Sequence, residues 1–69
     1  MTTTELHLHG HTFTEARDCA QRELNYRRRV YPRQVMSMKM TRELADHELS
    51  TMAAIAEYFA ELAERERLL

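Results

Sequence analysis

Apolar positions in the first half of the chain recur at helical spacing. At about 100° per residue, six side chains fall on one side of a helix: Phe13, Ala16, Ala20, Leu24, Tyr31 and Val35. Thr12 and Glu15 have the spacing of a capping box, with Thr12 as the N-cap and Glu15 as the third helical residue. This pattern predicts that a first helix begins at about residue 13.

The end of this helix is set by Pro32. Proline lacks the N–H that would continue the helical hydrogen bonds, and it disfavours helical angles at the preceding residue, Tyr31. We therefore expect the first helix at about 13–31. It either ends near Tyr31 or kinks there and continues as a weaker turn to about Met36.

A second helix is predicted at about 42–66. Thr41 is the candidate N-cap, and Glu43 lies in the first turn, where the helix dipole favours an acid. The apolar positions of this helix cover an arc of roughly 160°, wider than the seam of a two-stranded coiled coil. They are Leu44, Leu49, Met52, Ile55, Ala56, Phe59, Leu62 and Ala63.

The connection at about 32–41 is short enough to make the two helices antiparallel. A hairpin centred near Met38 places at one level those residues whose numbers add to about 76. The pairs expected from this rule are Leu24 with Met52, Ala20 with Ala56, and Phe13 with Leu62 and Ala63. The rule also predicts an ion pair between Arg28 and Glu48. Tyr31, Pro32 and Thr41 are expected to be structural residues of the turn.

The predicted fold class is all-α, an antiparallel two-helix hairpin over residues 12–69. Two helices cannot cover a 160° stripe on each other, and a core of this size stabilises a chain by only about 3–5 kcal/mol. We therefore expect a homodimer that forms a four-helix bundle, or a larger protein that receives the second helix. The expected interface residues are Leu49, Met52, Ile55, Phe59 and Leu62.

Charge is distributed unevenly although the formal net charge is only −1. Residues 22–42 carry a net +6 between two acidic segments, which favours an anionic partner or self-association. The residues that could contact an anion or a nucleic acid are Arg22, Arg29, Arg33, Lys39 and Arg42. Nucleic acid is the less favoured partner, because the sequence pI of about 6.4 is below that of typical nucleic-acid-binding domains.

Residues 1–11 differ from the rest, because residues 6–11 alternate with a period of two instead of following helical spacing. Residues 1–11 are expected to form a flexible or extended arm. His7, His9 and His11 would point the same way along a strand, and imidazole is a common zinc ligand. They are weak metal candidates, because a structural zinc site usually takes four ligands from two pairs. A flexible polar terminus is the preferred interpretation, and no cofactor is expected.

Length and composition exclude several classes of protein. Sixty-nine residues are too few for a two-domain enzyme, and a single cysteine cannot form an internal disulfide. We expect Cys19 to be a packed thiol beside the first helix stripe, and we expect no catalytic residues. The sequence shows neither a signal peptide nor a membrane span, so a cytoplasmic, membrane-independent protein is expected.

Residues 16–59 resemble a group of small, uncharacterised helical proteins encoded in bacteriophages and prophages of Gram-negative bacteria. The similarity lies in an Arg-rich helix that runs into Tyr31-Pro32, in Lys39-Met40-Thr41, and in Met52-Ala53-Ala54-Ile55. The resemblance implies a phage accessory protein in a bacterial cytoplasm, and the group supplies no activity or ligand to transfer. The expected function is therefore protein–protein interaction without catalysis, with nucleic-acid binding as the alternative.

Overall fold

The computed structural model describes residues 8–68, which form an antiparallel hairpin of two helices. Helix α1 comprises Phe13–Met36 and helix α2 comprises Arg42–Leu68. Within the described residues the only β-type contact is an isolated bridge between Leu8 and His11. The predicted all-α hairpin is thus confirmed.

The start of α1 is the predicted capping box. The backbone N–H of Glu15 donates to Thr12 Oγ1 at 3.0 Å, and the backbone N–H of Thr12 donates to Glu15 Oε1 at 2.9 Å. The bond from Thr12 lowers the pKa of the Glu15 carboxyl, and His11, 3.4 Å away, lowers it further. Two N–H groups that would otherwise have no partner at the helix start are satisfied in this way.

Of the two ends predicted for α1, near Tyr31 or at about Met36, the structure has the later one. The helix continues through Tyr31 and Pro32 to Met36, so the connection is 37–41 and not 32–41. Pro32 is exposed, and a proline removes one helical hydrogen bond without preventing the following turn from forming. Tyr31 and Pro32 are therefore residues of the helix, not of the turn.

Hydrogen bonds of a Schellman motif close α1. The N–H of Lys39 donates to the carbonyl of Gln34 at 2.9 Å, and the N–H of Met38 donates to the carbonyl of Val35 at 3.1 Å. Met38 has a φ of +63°, the left-handed conformation that this motif requires and that glycine usually provides. A side chain at this position costs conformational energy because Cβ crowds the backbone.

Helix α2 begins at the predicted N-cap. The backbone N–H of Leu44 donates to Thr41 Oγ1 at 3.1 Å, and the N–H of Ala45 donates to the Thr41 carbonyl at 3.0 Å. Thr41 is therefore the one predicted turn residue that acts in the turn.

The seam between the helices is lined mostly by alanine. The described residues that are buried are Ala20, Leu24, Ala45, Met52, Ala56 and Ala63. Leu24, Met52, Ala20 and Ala56 form one packed cluster, as the predicted register requires. Phe13 contacts the ring of Phe59, with centroids 6.4 Å apart, about one helical turn from the predicted Leu62 and Ala63. Small side chains along the seam let the two helices lie close together.

We predict that Met38→Gly stabilises the hairpin, by about 0.5–1 kcal/mol, because glycine adopts the left-handed conformation without the steric cost. Met36→Gly is the matched control, since Met36 is equally exposed but lies in the last turn of α1. Glycine in a helix is destabilising by about 0.5–1 kcal/mol, so the two substitutions should have opposite signs. Urea unfolding measures both, and a loss of stability in Met38→Gly would contradict the cap geometry.

Candidate interaction surface

Large apolar side chains are exposed together on one side of the hairpin. Tyr26 is 51% exposed on α1, while Leu44, Ile55 and Tyr58 are 48%, 40% and 60% exposed on α2. Val30 and Leu62 lie between them and are half-buried. We call this set the lateral face: Tyr26, Val30, Leu44, Ile55, Tyr58 and Leu62.

Helical geometry places these residues on the same side. Around the axis of α2, the four positions are rotated by roughly 80–140° from the buried seam, all in the same direction. On α1, Val30 and Tyr26 are rotated from the seam in that direction too. In an antiparallel pair, flanks with the same sense of rotation are neighbours across the seam. The other large exposed apolar residues among 8–68 lie elsewhere, Met36 and Met38 at the turn and Leu68 at the end of α2.

The opposite side of the hairpin is polar. Five exposed residues on that flank carry charges or amide and hydroxyl groups: Asp18, Asn25, Asp46, Ser50 and Glu57. The hairpin therefore has one apolar and one polar side, and this asymmetry is typical of a chain that buries one face against a partner.

An ion cluster on the lateral side fixes the relation between the helices. Arg27 Nε donates to Glu23 Oε2 at 2.8 Å within α1, and Arg27 Nη1 lies 3.6 Å from Glu48 Oε1 on α2. The bond to Glu23 raises the pKa of Arg27. Because one guanidinium reaches acids on both helices, the flanks that carry Glu23 and Glu48 must be adjacent.

The partner of Glu48 is thus Arg27, whereas the sequence predicted Arg28. The two arginines differ by only about 1.5 Å in height along α1 but by about 100° around it. The rule that predicted the pair gives the level of a residue and not its side. Arg28 is exposed on the polar flank, away from Glu48.

Two of the predicted interface residues lie on the lateral face, namely Ile55 and Leu62. Met52 is buried in the seam between the helices, and Leu49 packs against the same cluster. Phe59 is half-buried, between the ring of Phe13 and that of Tyr58, which meets it edge-on at 5.6 Å. The broad stripe of α2 is therefore divided into a seam inside the hairpin and a flank outside it.

Several residues of the lateral face were not among those predicted. They are Tyr26, Val30, Leu44 and Tyr58. The sequence does contain a signal for the two on α2, Leu44 and Tyr58. With Ile55 and Leu62 they follow a second series with heptad spacing, one residue before that of the seam.

The five predicted anion contacts are all exposed, with Arg22 near the middle of the hairpin and the other four towards the turn: Arg29, Arg33, Lys39 and Arg42. Arg29 lies over the ring of Tyr26, with its guanidinium carbon 5.6 Å from the ring centroid. None of the ion pairs found between residues 8 and 68 involves these five cations.

The predicted histidine group is only partly described. His7 lies outside the described residues, while His9 and His11 are exposed in a tight turn closed by a 3.1 Å bond from the His11 N–H to the Leu8 carbonyl. His9 and Gly10 both have positive φ, so this segment is a turn, not an extended strand. No cluster of three or more potential metal ligands occurs within residues 8–68.

Cys19 is exposed, which corrects the expectation of a packed thiol. It lies on the outer part of the lateral side, one helical turn from Ala16, and not in the seam.

Neither helix of the part of the chain that is described has the length and apolar character to cross a membrane. Comparison of the sequence with protein-family models and with curated proteins, and of the fold with solved structures, finds no match.

We predict that Glu48 is energetically coupled to Arg27 and not to Arg28. In double-mutant cycles with Glu48→Ala, Arg27→Ala should show a coupling of about 0.2–1 kcal/mol, the usual range for partly exposed ion pairs. Arg28→Ala is the matched control, for which the coupling should be indistinguishable from zero. Urea unfolding at low ionic strength measures both cycles, and stronger coupling to Arg28 would contradict the observed side of α1.

Proposed function

We propose that this protein is a non-catalytic accessory protein that acts through protein–protein contacts and associates with itself. The observation that supports the proposal is the lateral face, where large apolar side chains are exposed side by side on a hairpin whose opposite flank is polar. The resemblance of residues 16–59 to small phage and prophage proteins suggests the setting, an accessory role in the cytoplasm of a bacterial host.

The small core of the hairpin supports the same proposal. Four of its six buried residues are alanines, and no large side chain among the described residues is completely buried. A short chain with so little buried apolar surface gains stability from association, because a partner removes further apolar surface from water. The lateral face is where such a partner would remove the most.

We predict that the chain self-associates and that substitutions in the lateral face weaken the association. The double variant Ile55→Ser and Tyr58→Ser should raise the protein concentration at which half of the chains are associated by at least about tenfold. This corresponds to a loss of ~1.4 kcal/mol in the free energy of association. Met36→Ser with Met38→Ser is the matched control, because it removes more exposed apolar side chains at the turn, away from the lateral face.

Sedimentation velocity over a concentration series measures this prediction. A wild-type chain that stays monomeric at every concentration would contradict self-association. If the control pair weakened association as much as the lateral pair, the interface would be at the turn instead.

A second candidate function is binding of nucleic acid at the turn end of the hairpin. It is favoured by the exposed cations there, which have no acid partner within residues 8–68, and by the Tyr26 ring beside them. Phosphates could pair with these cations, and a base could stack on the aromatic ring in place of Arg29.

If this second function holds, the wild type is retained on DNA or RNA at low salt, and Arg29→Glu with Arg33→Glu lowers the affinity about tenfold or more. Arg65→Glu with Arg67→Glu is the control, because it makes the same change in net charge at the acidic end of the hairpin. Binding that is absent at low salt, or equally reduced in both variants, would exclude a specific site at the turn end.

A further inference from the structure

The α2 part of the lateral face has an internal symmetry. Together with Glu48 and Thr51, its residues form a series spaced alternately four and three residues apart: 44, 48, 51, 55, 58 and 62. This series reads the same in both directions about residue 53. A second α2 that runs antiparallel would therefore place Leu44 opposite Leu62, Thr51 opposite Ile55, and Glu48 opposite Tyr58.

The charges of the hairpin are separated along its length. The turn half, residues 25–52, holds six Arg or Lys and three Asp or Glu, a formal charge of +3. The open half, residues 8–24 together with 53–68, holds four Arg and seven Asp or Glu, a formal charge of −3. A second copy in antiparallel orientation would set each turn half beside the partner's open half, whereas a parallel copy would bring like charges together.

Building on the proposed function, we propose that a second copy of this chain occupies the lateral face, antiparallel, with a two-fold axis near residue 53 of α2. The dimer is a four-helix bundle in which α2 packs on α2 and α1 packs on α1. The Tyr58 hydroxyl faces the Glu48 carboxylate of the second copy, a chemically matched donor and acceptor.

Helix α1 is compatible with the same axis. Residues of α1 and α2 whose numbers add to about 76 lie at the same height along the hairpin. An axis near residue 53 of α2 therefore passes near Glu23 on α1. Ala16 then lies at the level of Val30 in the second copy. The two Glu23 carboxylates approach each other, and each is already paired with Arg27 of its own chain at 2.8 Å. The ion cluster therefore balances charge near the centre of the interface.

Spin-label distances test the orientation in the full chain. In a Cys19→Ser background, which removes the exposed native thiol, single labels are placed at Glu43→Cys, Ala54→Cys and Glu66→Cys. All three positions are exposed; 43 and 54 point away from the lateral face, and 66 lies beyond its last residue, Leu62. In the antiparallel dimer, pairs of labels are separated along the helix axis by ~30 Å at 43, ~3 Å at 54 and ~39 Å at 66, at 1.5 Å per residue.

The distances should therefore increase from 54 to 43 to 66, and circular dichroism confirms that each labelled chain is helical. Association should also weaken as salt rises, because opposite charges meet along the dimer. A dimer with similar distances at all three positions is parallel and overturns this orientation, while self-association stands. A chain that remains monomeric overturns both, and the lateral face then serves a different protein.

Discussion

Close approach of the two helices along an alanine-lined seam is the constraint on which the rest of this structure depends. Ala20, Ala45, Ala56 and Ala63 are all buried there, and Leu24 and Met52 are the only larger buried side chains among the described residues. Small residues bring the helix backbones together, and they leave little room for bulky groups between them. The larger apolar residues of α2 are consequently displaced to its flank.

That displacement links the fold to the proposed interaction. The seam holds the hairpin together but buries little apolar surface. The larger apolar side chains that do not fit into the seam are exposed on the flank. Arg27 connects the two features, because its contacts with Glu23 and Glu48 hold the flanks of α1 and α2 side by side. Tyr58 connects them again, since its ring lies against Phe59, which in turn contacts Phe13 at the open end. The lateral face is therefore a surface built on two helices that contact each other, not a set of independent side chains.

The sequence predicts the elements of this fold well and its faces less well. Thr12 and Thr41 are correct N-caps because capping depends on local spacing alone. Pro32 leaves two possible ends for α1, near Tyr31 or at about Met36, because a proline penalises a helix only locally. The Schellman bonds after Met36 stabilise the longer helix.

The Arg28 prediction was wrong for a geometric reason. The height of a residue along the hairpin follows from counting residues. The side of the helix on which it lies relative to the partner helix depends on which of two adjacent apolar stripes forms the seam. The apolar arc of roughly 160° on α2 does not show which of its residues face α1. The sequence therefore predicts Met52 as an interface residue, whereas the structure buries it in the core. Only the packing of both helices decides which part of the stripe remains outside.

The separation of positive and negative charge along the hairpin determines whether the two proposed partners, nucleic acid and a second copy, would bind to the same residues. Lys39 and Arg42 lie at the turn, where the acidic end of an antiparallel second copy would lie beside them. Arg22 and Arg29 face outward on α1, away from the seam, and stay accessible in such a dimer. The two proposed partners, nucleic acid and a second copy, would therefore compete for the turn but not for the outer face of α1. Because the same dimer brings two outer α1 faces into one assembly, a phosphate chain bound there would engage both copies and strengthen the dimer, whereas one bound at the turn would weaken it.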